Sequence, residues 1–150
     1  MDTEFSFTVR EATSEDAPRL CEIEKECFSL PWSEKSLSDF IENQNTEMLV
    51  AEDNDGIIGY AGAYLLVDEA DIANIAVTAR ARRRGVASKL LNELETALCR
   101  HNINSATLEV RQSNFNAITL YSAKGYEQIA VRRGYYLSPR EDAIIMKKIL

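Results

Sequence analysis

The chain has 150 residues, which suffices for one domain with its own hydrophobic core, so we predict a single domain over residues 1–150. Its formal net charge of −7 argues against direct nucleic-acid binding, because neutralising a phosphate backbone requires lysine and arginine in excess. No apolar stretch approaches the roughly 18 residues of a membrane span and no signal peptide is recognisable. The sequence therefore predicts a cytoplasmic protein with no membrane partner.

Three cysteines and one histidine limit the chemistry that this chain can perform. The number of cysteines is odd and none has metal-binding spacing, so we expect reduced thiols and no metal site. The histidine, His101, falls near the end of a predicted long helix. A Ser-His-Asp or Cys-His mechanism is therefore poorly supported.

The amino-terminal part predicts one strand followed by two helices. Apolar and polar residues alternate from Phe5 to Glu11, which is typical of a strand. Thr13 or Ser14 then caps a first helix, and Pro31 breaks it before a second, shorter helix begins. Trp32 lies in this break, where it either fills the core or lines a groove.

Three strands come next and lead into the most informative stretch of the sequence. Residues 47–52 and 57–67 flank an Asp-Asn-Asp-Gly turn and predict a hairpin. Residues 72–77 predict a further strand. An arginine-rich turn then leads through Gly85 into an amphipathic helix, whose apolar residues recur at helical spacing.

The start of this long helix has features of an anion-binding site. A helix N-terminus presents free backbone N–H groups and a partial positive charge. Gly85 and Ala87 would let a phosphate approach the backbone, and nearby arginines can pair with its oxygens. Four arginines within residues 80–84 of an acidic chain favour a local anion. The alternative is a solvated basic loop before an ordinary core helix.

The remaining chain predicts a strand, a short helix and two more strands. A right-handed crossover after the long helix would make the strand over 105–111 parallel to its neighbour. Asn114 either caps the short helix or holds a ligand amide. The element order is β-α-α-β-β-β-α-β-α-β-β, which predicts an α/β layer fold with a mixed central sheet.

Two residues in this part are candidates for proton transfer. Glu109 alternates with apolar neighbours, so its side chain points to the opposite face of the strand. Partial burial would raise its pKa toward that of a general base, unless it forms an ion pair with Arg111 or another arginine. Tyr121 either donates a proton from the short helix or packs there as a core residue.

Several blocks of this sequence resemble a known family of enzymes. Arg82-x-x-Gly85-x-Ala87 after a strand resembles the acyl-coenzyme A motif of the GNAT superfamily of N-acetyltransferases. Other blocks resemble its RimI family: Pro31-Trp32-Ser33-Glu34, Asp68-Glu69-Ala70, Asn74-Ile75-Ala76-Val77, Leu108-Glu109-Val110-Arg111, Arg132-Arg133-x-Tyr135-Tyr136 and Arg140-Glu141-Asp142-Ala143-Ile144-Ile145-Met146. The resemblance extends from Val9 to Lys147. RimI enzymes are bacterial acetyltransferases of the N-terminal alanine of a small-subunit ribosomal protein.

The resemblance implies the GNAT fold and three groups of functional residues. Acetyl would pass from acetyl-coenzyme A to an α-amine, with Glu109 as general base, Tyr121 as general acid and no metal. The residues implied to contact the coenzyme are Ile75, Ala76, Val77, Arg83, Arg84, Gly85, Val86, Ala87, Ser88 and Asn114. Those implied to border the acceptor groove are Trp32, Glu69, Arg133, Tyr135 and Tyr136. The implied partner is the amino terminus of a ribosomal protein.

Departures from the family pattern and other functions stay open at this point. Ala87 stands where glycine is common and slightly crowds the pyrophosphate, and Thr78-Ala79 replaces the commoner Asp-Pro. Tyr135 and Tyr136 would otherwise form a cross-strand core pair. The chain is alternatively an acetyltransferase of other protein N-termini or of small-molecule amines, including antibiotics. A non-catalytic coenzyme A-binding or ribosome-associated module is the remaining alternative.

Overall fold

A computed structural model describes residues 5–150 of the chain, whose strands and helices follow each other in the predicted order. The strands are β1 (Thr8–Glu11), β2 (Thr46–Asp53), β3 (Gly56–Leu66), β4 (Glu69–Val77), β5 (Ser105–Arg111), β6 (Glu127–Leu137) and β7 (Arg140–Ile149). The helices are α1 (Ala17–Cys27), α2 (Glu34–Glu42), α3 (Val86–Arg100) and α4 (Phe115–Ala123). Short 3-10 turns over Ser14–Asp16 and Ala79–Ala81 precede α1 and α3. This is the predicted α/β layer fold.

The strands form one mixed sheet in the order β1-β2-β3-β4-β5-β7-β6. Neighbouring strands are antiparallel except β4 and β5, which are parallel as the right-handed crossover predicts. The β4–β5 ladder is short and joins only Glu69–Asp71 to Ser105–Thr107. Beyond this ladder the two strands separate, and the gap between them positions the site described below.

Helices cover both faces of the sheet and divide the core into two parts. Leu49 and Ala51 of β2 belong to the cluster that packs under α3. Met48 and Val50 alternate with them and face α1 and α2. Burial on both faces explains why the central strands are apolar runs rather than alternating ones. Within residues 5–150, no helix is both long enough and apolar enough to cross a lipid bilayer.

Several strand boundaries differ from the predicted ones. β1 begins at Thr8, where its ladder with β2 starts, so Phe5 and Phe7 lie outside the strand. Their rings pack on each other with centroids 5.6 Å apart and contact the core. β4 begins early at Glu69, because a tight turn after β3 pairs the two strands from their ends. β7 begins at Arg140 instead of the Ala143 that the sequence predicts, directly after a turn from β6.

Candidate active site

The separation of β4 from β5 creates a cleft with a volume of about 650 Å³. Its walls come from the end of α1 and the loop after it, β4, β5, α4 and the end of β6. Predicted site residues that line this cleft are Trp32, Ile75, Glu109, Asn114, Tyr121, Tyr135 and Tyr136. The fold thus gathers into one cavity residues that lie up to about a hundred positions apart in sequence.

Glu109 lies in β5 with its side chain directed into the cleft. Its neighbours Leu108 and Val110 are buried on the other face of the strand, as the alternation predicts. Within residues 5–150, Arg111 pairs with Glu141 instead of Glu109, with its Nη1 3.3 Å from the Oε1 of Glu141. No other arginine within residues 5–150 forms an ion pair with Glu109 either, so the ion-pair alternative does not apply.

The surroundings of Glu109 favour its neutral form. Partial burial raises the pKa of its carboxyl group, and the nearby carboxylate of Asp71 raises that pKa further. The guanidinium of Arg132 opposes both effects. A carboxylate with a raised pKa holds a proton more strongly, and this is what a general base near neutral pH requires.

Tyr121 projects from α4 into the same cleft. Burial raises the pKa of its hydroxyl to about 12, and the neighbouring Tyr136 contributes to this shift. The ring also packs edge-on against Tyr126, with centroids 6.0 Å apart. Tyr121 therefore has a packing contact on one side and a protonated hydroxyl on the cleft side.

Tyr135 and Tyr136 are successive residues near the end of β6, the edge strand of the sheet. Their rings are nearly perpendicular, at 89°, with centroids 5.0 Å apart. Tyr135 is 46% exposed, so the two rings form a wall of the cleft rather than a cross-strand core pair.

Polar contacts of Arg111 fix this wall relative to β5. Its guanidinium lies 4.3 Å from the centre of the Tyr136 ring and donates to the carbonyls of Pro139 (2.9 Å) and Ser138 (3.2 Å). The hydroxyl of Ser29, from the loop after α1, donates to the same Ser138 carbonyl. The loop between β6 and β7 therefore reaches across to the loop between α1 and α2.

Other predicted acceptor residues differ in their placement. Trp32 lines the cleft and also packs on Phe40 with ring centroids 5.5 Å apart, so it has both of its predicted roles. Glu69 does not line the cleft and lies with a carboxylate oxygen 3.8 Å from the Nζ of Lys147. Arg133 also lies outside the lining, in a stretch of β6 where the pairing with β7 is irregular. The sequence predicted a common groove for all of them, and the structure brings only the three aromatic residues together.

The four arginines of the turn before α3 have different partners. Arg80 pairs with Asp53, with Nη1 2.7 Å from Oδ2, and Arg82 donates to the Val77 carbonyl. Arg84 stacks on the ring of Phe5, with its Cζ 4.7 Å from the ring centre. Arg83 forms no ion pair within residues 5–150. These contacts leave Arg83 and Arg84 as the cations of the turn available to an anion.

The backbone at the start of α3 has the form of an anion cradle. Gly85 is the N-cap at φ +80°, and a Cβ added there would meet nothing within 4 Å. Arg83 also has positive φ, at 63°. Among the described residues, the N–H groups from Arg83 to Ser88 have no backbone acceptor. Open space, free donors and two cations together fit a pyrophosphate group.

The strand beside the cleft has one unpaired edge. Residues 75–77 of β4 pair with β3 on one side, whereas their other edge lies past the end of the β5 ladder. Ile75 lines the cleft at this point. Exposed backbone groups of this kind can hold an extended ligand that carries amide groups.

Asn114 can contact a ligand while it caps α4. Its Oδ1 accepts a hydrogen bond from the N–H of Ala117 at 3.2 Å, which confirms the predicted cap. The amide NH₂ of the same side chain is left for another acceptor in the cleft.

Glu24 is a polar residue of the cleft that the sequence analysis did not predict. Its carboxylate is fully buried and accepts hydrogen bonds from the Tyr60 hydroxyl, the Trp32 N–H (2.9 Å) and the Asn74 Nδ2 (3.3 Å). Burial raises its pKa, and the bonds from Tyr60 and Trp32 oppose this. A signal exists, since Glu24 follows Leu20 by four positions and so lies on the apolar face of α1.

Within residues 5–150, no three histidine, cysteine, aspartate or glutamate side chains are arranged to hold a metal ion.

Known proteins similar to this chain are acetyltransferases. A model of the Acetyltransferase (GNAT) family matches residues 17–126. The ribosomal protein bS18-alanine N-acetyltransferase of Haemophilus ducreyi is 39% identical over 137 residues, which cover 88% of this chain and 92% of that protein. The crystal structure of the ribosomal-protein-S18-alanine N-acetyltransferase from Escherichia coli has a TM-score of 0.89 and 32% identity, over 96% of this chain and 94% of that one.

A more distant structure shares the fold and was solved in complex with coenzyme A. The PaiA N-acetyltransferase from Thermoplasma acidophilum has a TM-score of 0.81 and 17% identity, and the match covers 97% of this chain and 100% of that one.

Proposed function

Because the chain belongs to the GNAT family of acetyltransferases and, within it, to the RimI family, we propose that it acetylates the N-terminal α-amine of a ribosomal protein beginning with alanine. The acetyl donor of the family is acetyl-coenzyme A. The observation that carries the proposal is the single cleft in which Glu109 and Tyr121 lie beside the unpaired edge of β4. A ribosomal substrate implies that the reaction takes place in the cytoplasm.

The proposed reaction is a direct transfer with two proton movements. The amine nitrogen forms a bond to the carbonyl carbon of the acetyl thioester, and the carbon–sulfur bond breaks. Glu109 accepts the proton that the nitrogen loses, directly or through a water. Tyr121 gives its hydroxyl proton to the departing thiolate sulfur.

The pKa of the acceptor amine explains why an α-amine suits this site. An α-ammonium group has a reference pKa of about 7.7–8.0, whereas that of a lysine side chain is about 10.4. At a pH of about 7.5, deprotonation costs a few tenths of a pKa unit for the α-amine and roughly three units, about 4 kcal/mol, for lysine. A carboxylate with a raised pKa, such as Glu109, is sufficient for the first and weak for the second.

Acetyl-coenzyme A would lie along the gap between β4 and β5. The free N–H groups from Arg83 to Ser88, with the side chains of Arg83 and Arg84, would hold its pyrophosphate. The unpaired edge of β4 over residues 75–77 would bond to the amide groups of its pantetheine arm. Asn114 would donate its free NH₂ from the other side of the cleft.

Three aromatic residues would form the walls that receive the acceptor. Trp32 approaches from the loop after α1, and Tyr135 and Tyr136 from the end of β6. Apolar walls of this kind accommodate a small side chain such as the methyl group of alanine and exclude water from the amine.

Acetylation of two matched peptides tests the proposed function. We expect the purified protein to acetylate a peptide that begins with alanine and contains lysine, and mass spectrometry should locate the acetyl group on the α-amine. The same peptide with a blocked N-terminus should stay unmodified. Equal rates on the blocked peptide would contradict selectivity for the α-amine, and turnover of small amines alone would contradict a protein substrate.

A further inference from the structure

Glu24 is a buried carboxylate whose partners are all uncharged. The Tyr60 hydroxyl, the Trp32 N–H and the Asn74 amide donate to it from three different elements: β3, the loop between α1 and α2, and β4. A carboxylate buried without a cation is costly to the free energy of folding unless it has several donors or a use. The positions of the three donor residues indicate what this carboxylate does.

The three partners connect the cleft to the rigid part of the fold. Trp32 and Asn74 line the cleft, whereas Tyr60 is fully buried beneath it. The backbone of Trp32 is bound on both sides, since its N–H donates to Glu24 and its carbonyl accepts from the Cys21 thiol at 3.7 Å. Two side chains of α1 therefore hold the Trp32 end of this loop, while Ser29 bonds to Ser138 at its other end.

The loop that Glu24 holds supplies one wall of the cleft. Phe28, Ser29, Leu30 and Trp32 all line the cavity, and the loop contains no regular secondary structure that would fix it independently. The Trp32 ring continues outward to Phe40, which meets Tyr64 edge-on at 4.9 Å. A shift at Trp32 would therefore also displace the Phe40 and Tyr64 rings that pack in succession on it.

We propose that Glu24 is a positioning residue for the acceptor: its carboxylate fixes the Trp32 loop against Asn74 of β4 and so sets the width of the acceptor side of the cleft. This inference rests on the proposed function, because only a transfer reaction has an acceptor side. Glu24 is not assigned as the base, since both of its carboxylate oxygens already accept hydrogen bonds from Tyr60, Trp32 and Asn74.

Steady-state kinetics of two Glu24 variants, with both substrates varied, test the inference. In Glu24→Leu all three hydrogen bonds are lost, and we expect the KM for the alanine peptide to rise about tenfold or more. The KM for acetyl-coenzyme A should stay within about twofold of wild type, because the arginine turn does not contact Glu24 and the backbone of residues 75–77 stays paired with β3. Glu24→Gln retains an acceptor oxygen for the Trp32 N–H, so the peptide KM should return to within about threefold.

A matched control separates positioning from general loss of stability. Glu47 is also a buried glutamate, but it lies at the start of β2 with an oxygen 3.5 Å from the Nε2 of His101 and does not line the cleft. Glu47→Leu should lower Tm while leaving both KM values unchanged. If Glu24→Leu does not fold, the double variant Tyr60→Phe/Asn74→Ala removes two of the three bonds and should raise the peptide KM alone.

The outcomes distinguish this inference from the proposed function. A wild-type protein that binds acetyl-coenzyme A but acetylates no peptide rejects both. A wild-type protein that is active, together with Glu24 variants whose peptide KM is unchanged, rejects the positioning role only. A rise of both KM values by the same factor in Glu24→Leu also rejects it, because the effect is then not confined to the acceptor.

Discussion

The charges around Glu109 determine how activity should depend on pH. Its pKa is raised by burial and by the carboxylate of Asp71, and a general base works only when deprotonated. Activity should therefore fall as the pH drops through the raised pKa of Glu109. The acceptor amine acts in the same direction, because its own protonation also blocks attack.

Asp71→Asn should shift the acidic limb of the pH profile. Removal of that negative charge lowers the pKa of Glu109, so kcat/KM should stay high to a lower pH than in wild type.

Glu109→Gln should lower kcat/KM by about 10²–10⁴-fold. Profiles from about pH 5 to about pH 9 provide the measurement. Unchanged kcat/KM in Glu109→Gln across this range would remove Glu109 from the role of base.

Tyr121→Phe should reduce kcat without a matching change in the KM for acetyl-coenzyme A. The variant keeps the ring that packs on Tyr126 and loses only the hydroxyl whose pKa lies at about 12. The matched control is Tyr126→Phe. The Tyr126 hydroxyl donates a 2.9 Å hydrogen bond to Glu95, and neither residue lines the cleft. The control should lose stability and keep kcat. A kcat for Tyr121→Phe within about twofold of wild type would make Tyr121 a packing residue.

Secondary-structure elements were predictable where local chemistry specifies them. The cap of α4 is the clearest case, since the Asn114 Oδ1 accepts from the Ala117 N–H as expected. The predicted cap at Thr13 or Ser14 instead precedes a 3-10 turn, and α1 begins after Asp16. Strand ends were less predictable, because they depend on where a partner strand begins: Phe5 continues the alternation of β1 but has no partner in β2.

The burial of Glu24 and the positions of Glu69 and Arg133 were not predictable, because they depend on contacts between elements that are distant in sequence. Glu24 lies on the apolar face of α1, but its burial depends on donors that β3, β4 and the Trp32 loop bring from distant positions. Placement of Glu69 and Arg133 away from the cleft depends on the register of β4 with β5 and of β6 with β7. No local pattern contains that register.

Gly85→Ala tests the start of α3 as a structural element. An added Cβ would clash with nothing, so the cost is confined to the backbone at φ +80°, about 1 kcal/mol. We expect Tm to fall modestly and the Kd for acetyl-coenzyme A to rise several-fold, because the free N–H groups lose their orientation. Calorimetry and thermal unfolding provide the two measurements.

Gly56→Ala is the control for Gly85→Ala, because it carries the same kind of backbone cost elsewhere. Gly56 has φ +122° in the β2–β3 hairpin, and an added Cβ there also meets nothing within 4 Å. It should lower Tm similarly and leave the Kd unchanged. Equal Kd values for the two variants would contradict a role for the Gly85 backbone in holding the coenzyme.

At the scale of the whole molecule, one parallel ladder explains the site. The order of elements predicted a mixed sheet. The short β4–β5 ladder divides that sheet into two parts, β1–β4 and β5–β7–β6, with a gap between them. Because β7 lies between β5 and β6, Tyr135 and Tyr136 lie on the edge strand of the second part, across the cleft from the loop after α1. The same residues in a fully paired sheet would have no cavity to line.

The charge of the whole molecule opposes coenzyme binding, whereas the arginine turn attracts the coenzyme locally. Acetyl-coenzyme A is an anion and the chain has a net charge of −7, so Arg83 and Arg84 must outweigh a repulsive background. Their attraction is screened by salt, and the Kd for acetyl-coenzyme A should rise between about 0.05 M and about 0.5 M salt. In Arg83→Ala/Arg84→Ala the side-chain attraction is lost while the repulsive net charge and the backbone N–H groups remain, so the rise of the Kd with salt should disappear or reverse. The control Lys35→Ala/Arg100→Ala also removes two positive charges, one from α2 and one from the far end of α3. The Kd of this control should change with salt in the same direction as that of the wild-type protein. Identical salt dependence in both double variants would mean that net charge, not the turn, governs coenzyme binding.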